Sequence, residues 1–169
     1  CMRGRGRDAP PAHAVTAGTR GVDRRSVPGR VWIVAAGLHG ACAVALGAFG
    51  AHGLKHCRDS AEGLSRLEWW HTASVYQLTH ALALGLVAWL ASRAGARSVR
   101  AVRLAGVCFA LGALVFSGTL YLLPLTEIRI LGAATPIGGV LLAAGWGPGA
   151  WAGARLGWAD RRGGPAGAR

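Results

Sequence analysis

Four long apolar segments, at residues 31–50, 72–91, 102–123 and 130–146, take up about half of the chain. Each segment is roughly long enough to cross the ~30 Å hydrocarbon core of a bilayer as an α-helix. The chain is 52% hydrophobic, which is more apolar than an ordinary soluble domain. The sequence therefore predicts an all-α, multi-pass membrane protein that spans the bilayer four times.

The basic residues are distributed unevenly around these segments. The net charge is +12, which in a soluble protein would suggest a nucleic-acid partner. Of the 19 basic residues, however, 15 lie before the first segment, between the second segment and the first residues of the third, or after the fourth; the other four are Lys55, Arg58, Arg66 and Arg129. Under the positive-inside rule this asymmetry predicts four antiparallel helices with both termini in the cytoplasm. We therefore expect a cell (inner) membrane protein whose partner is the lipid bilayer, with no nucleic acid.

The chain divides into three parts by composition. Residues 1–29 are rich in Arg, Gly, Ala and Pro without apolar periodicity, so we expect a disordered leader. We interpret it as an overextended gene start, with translation beginning near Val22 or Val27. Residues 30–147 are expected to form the transmembrane domain, and residues 148–169 a basic, amphipathic tail along the cytoplasmic headgroups.

Small residues and prolines give further expectations about helix packing. Ala36 and Gly40, and Ala43 and Gly47, are four residues apart, a spacing that lets a second helix approach closely. Thr135-Pro136 is expected to kink the fourth helix, and such a kink can act as a gating element. The fourth helix is expected to end at Trp146, before the turn 147–149.

The connection between the first two segments is the longest one. Residues 60–70 could form a separate helix at the membrane interface. Trp69 and Trp70 then stand at the start of the second segment, where Trp side chains commonly form an aromatic belt. We therefore expect both indole rings at the membrane–water boundary.

Four stretches together resemble a known family: GAFGAHGLK (Gly47–Lys55), YQLTHALAL (Tyr76–Leu84), FSGTLYLL (Phe116–Leu123) and TPIGG (Thr135–Gly139). In this order and with these gaps they resemble the small membrane proteins catalogued as domain of unknown function 423, whose animal relatives are called transmembrane protein 256. The resemblance implies an integral membrane protein of four spans. It implies no activity, and no catalytic residues are transferred from it.

Polar side chains inside the spans are the candidate site, because they are costly in hydrocarbon. They are His39, Tyr76, Gln77 and His80. Tyr76 and His80 are four apart and share a helix face. Our main interpretation is an interhelical hydrogen-bond network, with His80 bonded to a backbone carbonyl or to Ser117; Ser117 and Thr119 can also bond a neighbouring helix.

Two other interpretations of these residues stay open. At ~1.5 Å per residue, His39 and His80 lie ~13 Å and ~18 Å from the inner boundary, so adjacent helices could bring them together. One interpretation is a metal site made of His39, Cys42 and His80, with Cys108 as a fourth ligand. The other is a proton or ion path.

His52 and Lys55 lie at the outer boundary, just beyond the first segment. In the structural interpretation Gly53 ends the first helix, and the two side chains satisfy its last carbonyls. In the functional interpretation they bind an anionic headgroup or another small anion.

The sequence contains no nucleophile–base pair, phosphate loop or paired carboxylates, so we expect neither an enzyme nor a resident cofactor. The leading hypothesis is a non-enzymatic structural or interaction protein that acts in the membrane through a protein partner or a homo-oligomer. The alternatives are a small transporter or channel that uses His39 and His80, and a metal- or haem-binding membrane protein.

Overall fold

The computed structural model describes residues 27–54, 60–126, 128 and 130–162. This part contains four helices: α1 (Val27–Gly53), α2 (Ala61–Arg93), α3 (Val99–Thr126) and α4 (Ile130–Arg162). All four are long and apolar enough to cross a membrane, which confirms the expected number of spans. The predictions for residues 1–26, for Lys55 and for residues 163–169 fall outside the described residues.

The helix ends differ from the expected span limits because a membrane-crossing helix can continue beyond its most apolar residues. The expected interfacial helix at 60–70 is the first part of α2 and not a separate element. Its N-terminus is capped by Ser60, whose Oγ accepts a hydrogen bond from the Gly63 N–H at 3.1 Å. A side-chain acceptor of this kind satisfies one of the free N–H groups at a helix start.

At two points where the sequence predicted that a helix ends, a proline instead lies inside the helix. Pro124 belongs to α3, which continues to Thr126, and Pro148 belongs to α4, which continues to Arg162. The expected turn at 147–149 is therefore wrong. Proline removes one backbone hydrogen bond, but packing against neighbouring helices makes such a loss tolerable in membrane helices.

Each helix packs mainly against its neighbours in the chain: α1 on α2, α2 on α3 and α3 on α4. In the most apolar stretch of each helix, half of the residues of α2 and 39% of those of α3 are buried, against 11% for α1 and 17% for α4. The inner pair is therefore α2 and α3, and the edge helices are α1 and α4.

The buried apolar residues form two clusters. The Leu84 cluster joins the end of α2 to the start of α3 and the last part of α4; its members are Ala83, Leu84, Val87, Leu90, Val102, Ala105, Phe109 and Ala152. The Trp70 cluster joins the start of α2 to the end of α3; its members are Trp70, Ala73, Leu120 and Tyr121, with Leu46, Leu54 and Phe116 against them. Most of the polar contacts between helices lie close to the Trp70 cluster.

Candidate functional site

Trp70 connects three helices at the centre of the Trp70 cluster. It is 3% exposed, and its indole Nε1 donates a hydrogen bond to the backbone oxygen of Leu46 in α1 at 2.6 Å. Its ring lies 5.5 Å from that of Phe49 and 4.9 Å from that of Tyr121, the latter edge-on. Burying an aromatic ring with its polar atom bonded stabilises packing without an unpaired donor.

Gly50 explains why the Trp70 ring can enter between the helices. A Cβ placed on Gly50 would collide with the ring, at 2.6 Å from Nε1 and closer still to Cδ1. Only glycine leaves this space. Gly50, the second glycine of the GAFGAHG stretch, therefore makes room for the Trp70 indole 20 residues further along the chain. The expectation that Trp70 lies in an aromatic belt is wrong; Trp69, at 40% exposed, is the outward-facing residue of the pair.

Two side-chain hydrogen bonds join α2 to α3 on either side of this ring. Ser117 Oγ donates to the backbone oxygen of Ala73 at 2.9 Å, and both residues are buried. Arg66 Nη1 donates to the oxygen of Pro124 at 3.3 Å, and its Nη2 pairs with Glu62 at 3.1 Å. The expected bonding of Ser117 to a neighbouring helix is confirmed.

The TPIGG stretch brings α4 against α3. Thr119 and Thr135 share a hydrogen bond between their hydroxyls at 2.9 Å. A Cβ on Gly138 would collide with the Phe116 backbone, at 2.7 Å from Cα and closer still to the amide nitrogen. Pro136 lies inside α4 on its exposed side, so the glycine and not the proline makes the close helix contact.

His80 lies among aromatic rings of α3 and α4, those of Phe109 and Trp146. Its Nδ1 is 2.7 Å from the backbone oxygen of Tyr76. The predicted partner, a backbone carbonyl, is therefore correct, but the carbonyl belongs to the same helix and does not link two helices. Tyr76 and His80 share a face as expected, with ring centroids 6.1 Å apart.

His39 and Gln77 each carry a buried polar atom without a hydrogen-bond partner among the residues that the structure describes: Nδ1 of His39 and Oε1 of Gln77. Trp32, two turns before His39, packs on Gly106 of α3, and side chains seven apart project from the same side of a helix. The α1–α2–α3 interior thus holds polar atoms whose burial costs about 1–3 kcal/mol each if they remain unpaired.

The candidate metal ligands do not come together as one group. Across the described ranges, no set of three or more His, Cys, Asp or Glu side chains is arranged to hold a metal ion. Cys42 is exposed and Cys108 is buried. His39 makes no hydrogen bond or ring contact with His80 within the described residues. The hypotheses of a metal- or haem-binding protein and of a small transporter or channel stay predictions.

The end of α1 is partly as expected. The helix ends at Gly53, with His52 exposed in its last turn. His52 makes no side-chain hydrogen bond to any described residue, and Lys55 lies outside the described part, so a role in closing the helix or in binding an anion is still a prediction.

A cleft of about 220 Å³ opens between α1 and α2 next to the Trp70 ring; its lining residues are Gly47, Gly50, Ala51, Leu67, Trp70, His71 and Ser74. The small residues of α1 create this space. Ser74 donates its hydroxyl to the backbone oxygen of His71 at 3.0 Å. Because this hydroxyl is already paired and most of the other lining residues are apolar, the cleft is mainly apolar.

Comparisons with known proteins agree with this architecture. The chain is 41% identical to the UPF0382 membrane protein YwdK of Bacillus subtilis, over 69% of this chain and 90% of that protein. It is 44% identical to a UPF0382 membrane protein of Staphylococcus saprophyticus, over 69% and 91% of the two chains. It is 38% identical to the UPF0382 inner membrane protein YgdD of Escherichia coli, over 69% and 84%.

No solved structure is significantly similar to the chain. The family described as "Protein of unknown function (DUF423)" matches residues 46–139. This range begins at the Leu46 carbonyl that accepts the Trp70 hydrogen bond and ends just after the Gly138 contact. The chain is a multi-pass inner membrane protein and belongs to the DUF423 family.

Proposed function

We propose that this protein is a non-enzymatic structural or interaction protein, which acts by packing its edge helices against another membrane protein or a second copy of itself. The observation that carries the proposal is the unequal burial of the helices. The most apolar stretches of α1 and α4 are only 11% and 17% buried, although α2 and α3 are held together by hydrogen bonds and share both clusters of buried apolar residues.

The outward faces of the edge helices have the chemistry of a helix-packing surface. Exposed small residues recur along them; among them are Gly37, Ala41, Ala45 and Ala48 in α1, and Ala133, Ala143, Ala144, Gly147 and Ala154 in α4. Lipid chains are as apolar as these side chains, so association in a bilayer depends on close packing, and small residues permit it. A helix of a partner protein is therefore a better match than a polar ligand.

We further infer that the four helices are antiparallel and that both termini are cytoplasmic. Contacts between α3 and α4 support the antiparallel order. Thr119 contacts Thr135, Phe116 contacts Gly138, and Phe109 contacts Gly145, so residue numbers rise along one helix as they fall along the other. The 15 basic residues on one set of connections support the orientation.

A photoreactive amino acid at an edge-helix position tests the proposed role. Leu38 of α1 and Val140 of α4 are 64% and 68% exposed, and Leu82 of α2, at 71%, is a matched control. After irradiation of intact cells we expect discrete protein adducts from position 38 or 140 and none from position 82. Lipid adducts alone, or the same adducts from all three positions, would contradict the proposal.

A reporter fusion after Arg162 tests the orientation. We expect a reporter that is active only in the cytoplasm to be active at this position, because the last helix is expected to end on the basic side. The same reporter inserted into the connection after Leu54 is the control and should be inactive. A periplasmic signal after Arg162 would reverse the inferred topology.

A further inference from the structure

The imidazole of His80 has one nitrogen bonded and one free. Nδ1 lies 2.7 Å from the Tyr76 carbonyl oxygen. That oxygen can only accept, so Nδ1 carries the proton, and in the neutral ring Nε2 is an acceptor. No donor reaches Nε2 from the residues that the structure describes. His80 as a whole residue is 5% exposed, so this unpaired acceptor belongs to a nearly buried side chain.

Aromatic rings from three helices surround this acceptor. The rings of Phe109 and Trp146 lie 5.6 Å and 6.3 Å from the His80 ring, and Tyr76 stacks on it at 6.1 Å. Phe116 adjoins Tyr76 at 4.6 Å. We call these four rings and His80 the aromatic surface. Tyr76 and Trp146 are 44% and 48% exposed, so they form the outer part of the surface, with His80 beneath them.

The aromatic surface faces the hydrocarbon region and not the water. Along α2, His80 is about 20 Å from Arg93 at ~1.5 Å per residue, and Trp146 lies midway along α4. A ligand that reaches Nε2 must therefore dissolve in the bilayer. It must also donate a hydrogen bond, and a planar ring gains most from stacking on the exposed aromatic side chains.

We propose that the aromatic surface binds the ring of a hydroquinone that carries an apolar tail, with one ring hydroxyl donating to His80 Nε2. The tail lies among the lipid chains, and the ring packs against Tyr76 and Trp146. An oxidised quinone offers only carbonyl acceptors at its ring oxygens and cannot pair with an acceptor nitrogen. Phospholipid headgroups carry their polar groups at the membrane surface, far from this depth. The inference is independent of what the edge helices bind.

Ligand chemistry provides the first test, on the wild-type protein in lipid nanodiscs. The probe is 2-decyl-1,4-hydroquinone under anaerobic conditions, compared with its 1,4-dimethyl ether and with the corresponding benzoquinone, and binding is measured by equilibrium partitioning against empty nanodiscs. We expect saturable binding of the hydroquinone, and about fivefold to tenfold weaker binding of the two compounds that cannot donate, because each loses one hydrogen bond to a buried group. Equal binding of the three, or no binding above empty nanodiscs, would overturn the proposal.

A side-chain substitution provides the second test. His80→Phe keeps an aromatic ring and removes the acceptor. The hydroquinone and its dimethyl ether should therefore bind this variant with about equal affinity. His71→Phe, in the same helix and exposed, is the control and should keep the full preference. A preference that persists in folded His80→Phe would show that the acceptor lies elsewhere. If His80→Phe does not fold, the three-ligand comparison on the wild type decides the matter alone.

Discussion

Replacing Gly138 by alanine should destabilise the protein by about 2–3 kcal/mol, the usual cost of overpacking a well-packed interior. The new Cβ would lie 2.7 Å from Cα and 2.8 Å from Cβ of Phe116. The Phe116 amide nitrogen lies closer still, and it and Cα are backbone atoms of α3, so no rotation of a side chain can relieve the collision. Helices α3 and α4 would have to separate, which would also stretch the bond between Thr119 and Thr135.

The adjacent glycine is a matched control. A Cβ on Gly139 would lie 3.8 Å from the Phe116 ring, an ordinary contact. Gly139→Ala should therefore leave stability unchanged or raise it by up to about 1 kcal/mol, since alanine is the better helix former. Unfolding in mixed detergent and SDS micelles measures both variants. Equal stability of Gly138→Ala and Gly139→Ala would mean that α3 and α4 are not in close contact here.

Much of the architecture could be predicted from local sequence. Segment length and hydropathy identify the four spans, because the bilayer sets the required length of apolar helix. Spacing on a helix predicts that Gly40 and Gly47 face a neighbour, and they pack on Ala81 and Ser74 of α2. The shared face of Tyr76 and His80 follows from the same geometry. Each of these features depends only on residues within a few turns.

The remaining features depend on residues far apart in the chain. Local pattern places Trp70 with Trp69 at the membrane boundary, whereas burial of Trp70 requires the gap at Gly50 and the free lone pair at the Leu46 oxygen. The continuation of α4 through Pro148 likewise depends on packing, since Gly145 and Gly149 lie against Phe109 and Ala105 of α3. Local signals cannot supply these partners.

His80 likewise combines features that local sequence predicts with features that depend on distant residues. Sequence indicates that His80 needs a hydrogen-bond partner in the membrane, and a backbone carbonyl is correctly among those predicted. The sequence alone does not tell that this bond is made within α2, which leaves Nε2 without a donor among the described residues, or that Phe109 and Trp146 lie beside the ring. Those two facts together turn a structural histidine into a candidate binding group.

Replacing Trp70 by alanine should be the most damaging single truncation, with a loss of about 3–5 kcal/mol in the free energy of unfolding. The change removes the hydrogen bond to the Leu46 oxygen and the ring contacts with Phe49 and Tyr121. In a bilayer these lost packing contacts matter more than transfer from water, because lipid also solvates apolar groups. Trp70→Phe keeps a ring and should lose about 1–2 kcal/mol, mainly the indole hydrogen bond.

Trp69→Ala is the neighbouring control, and because Trp69 is 40% exposed it should change stability by less than about 0.5 kcal/mol.

A double-mutant cycle that combines Trp70→Ala with Gly50→Ala tests the contact between the two residues. Gly50→Ala alone should destabilise, since its Cβ would meet a ring held in place by the Leu46 bond. In the Trp70→Ala background that ring is gone, and the same change should become neutral or stabilising. Additive effects of the two substitutions would mean that Gly50 and Trp70 are not packed together, because contacting residues couple and distant ones do not.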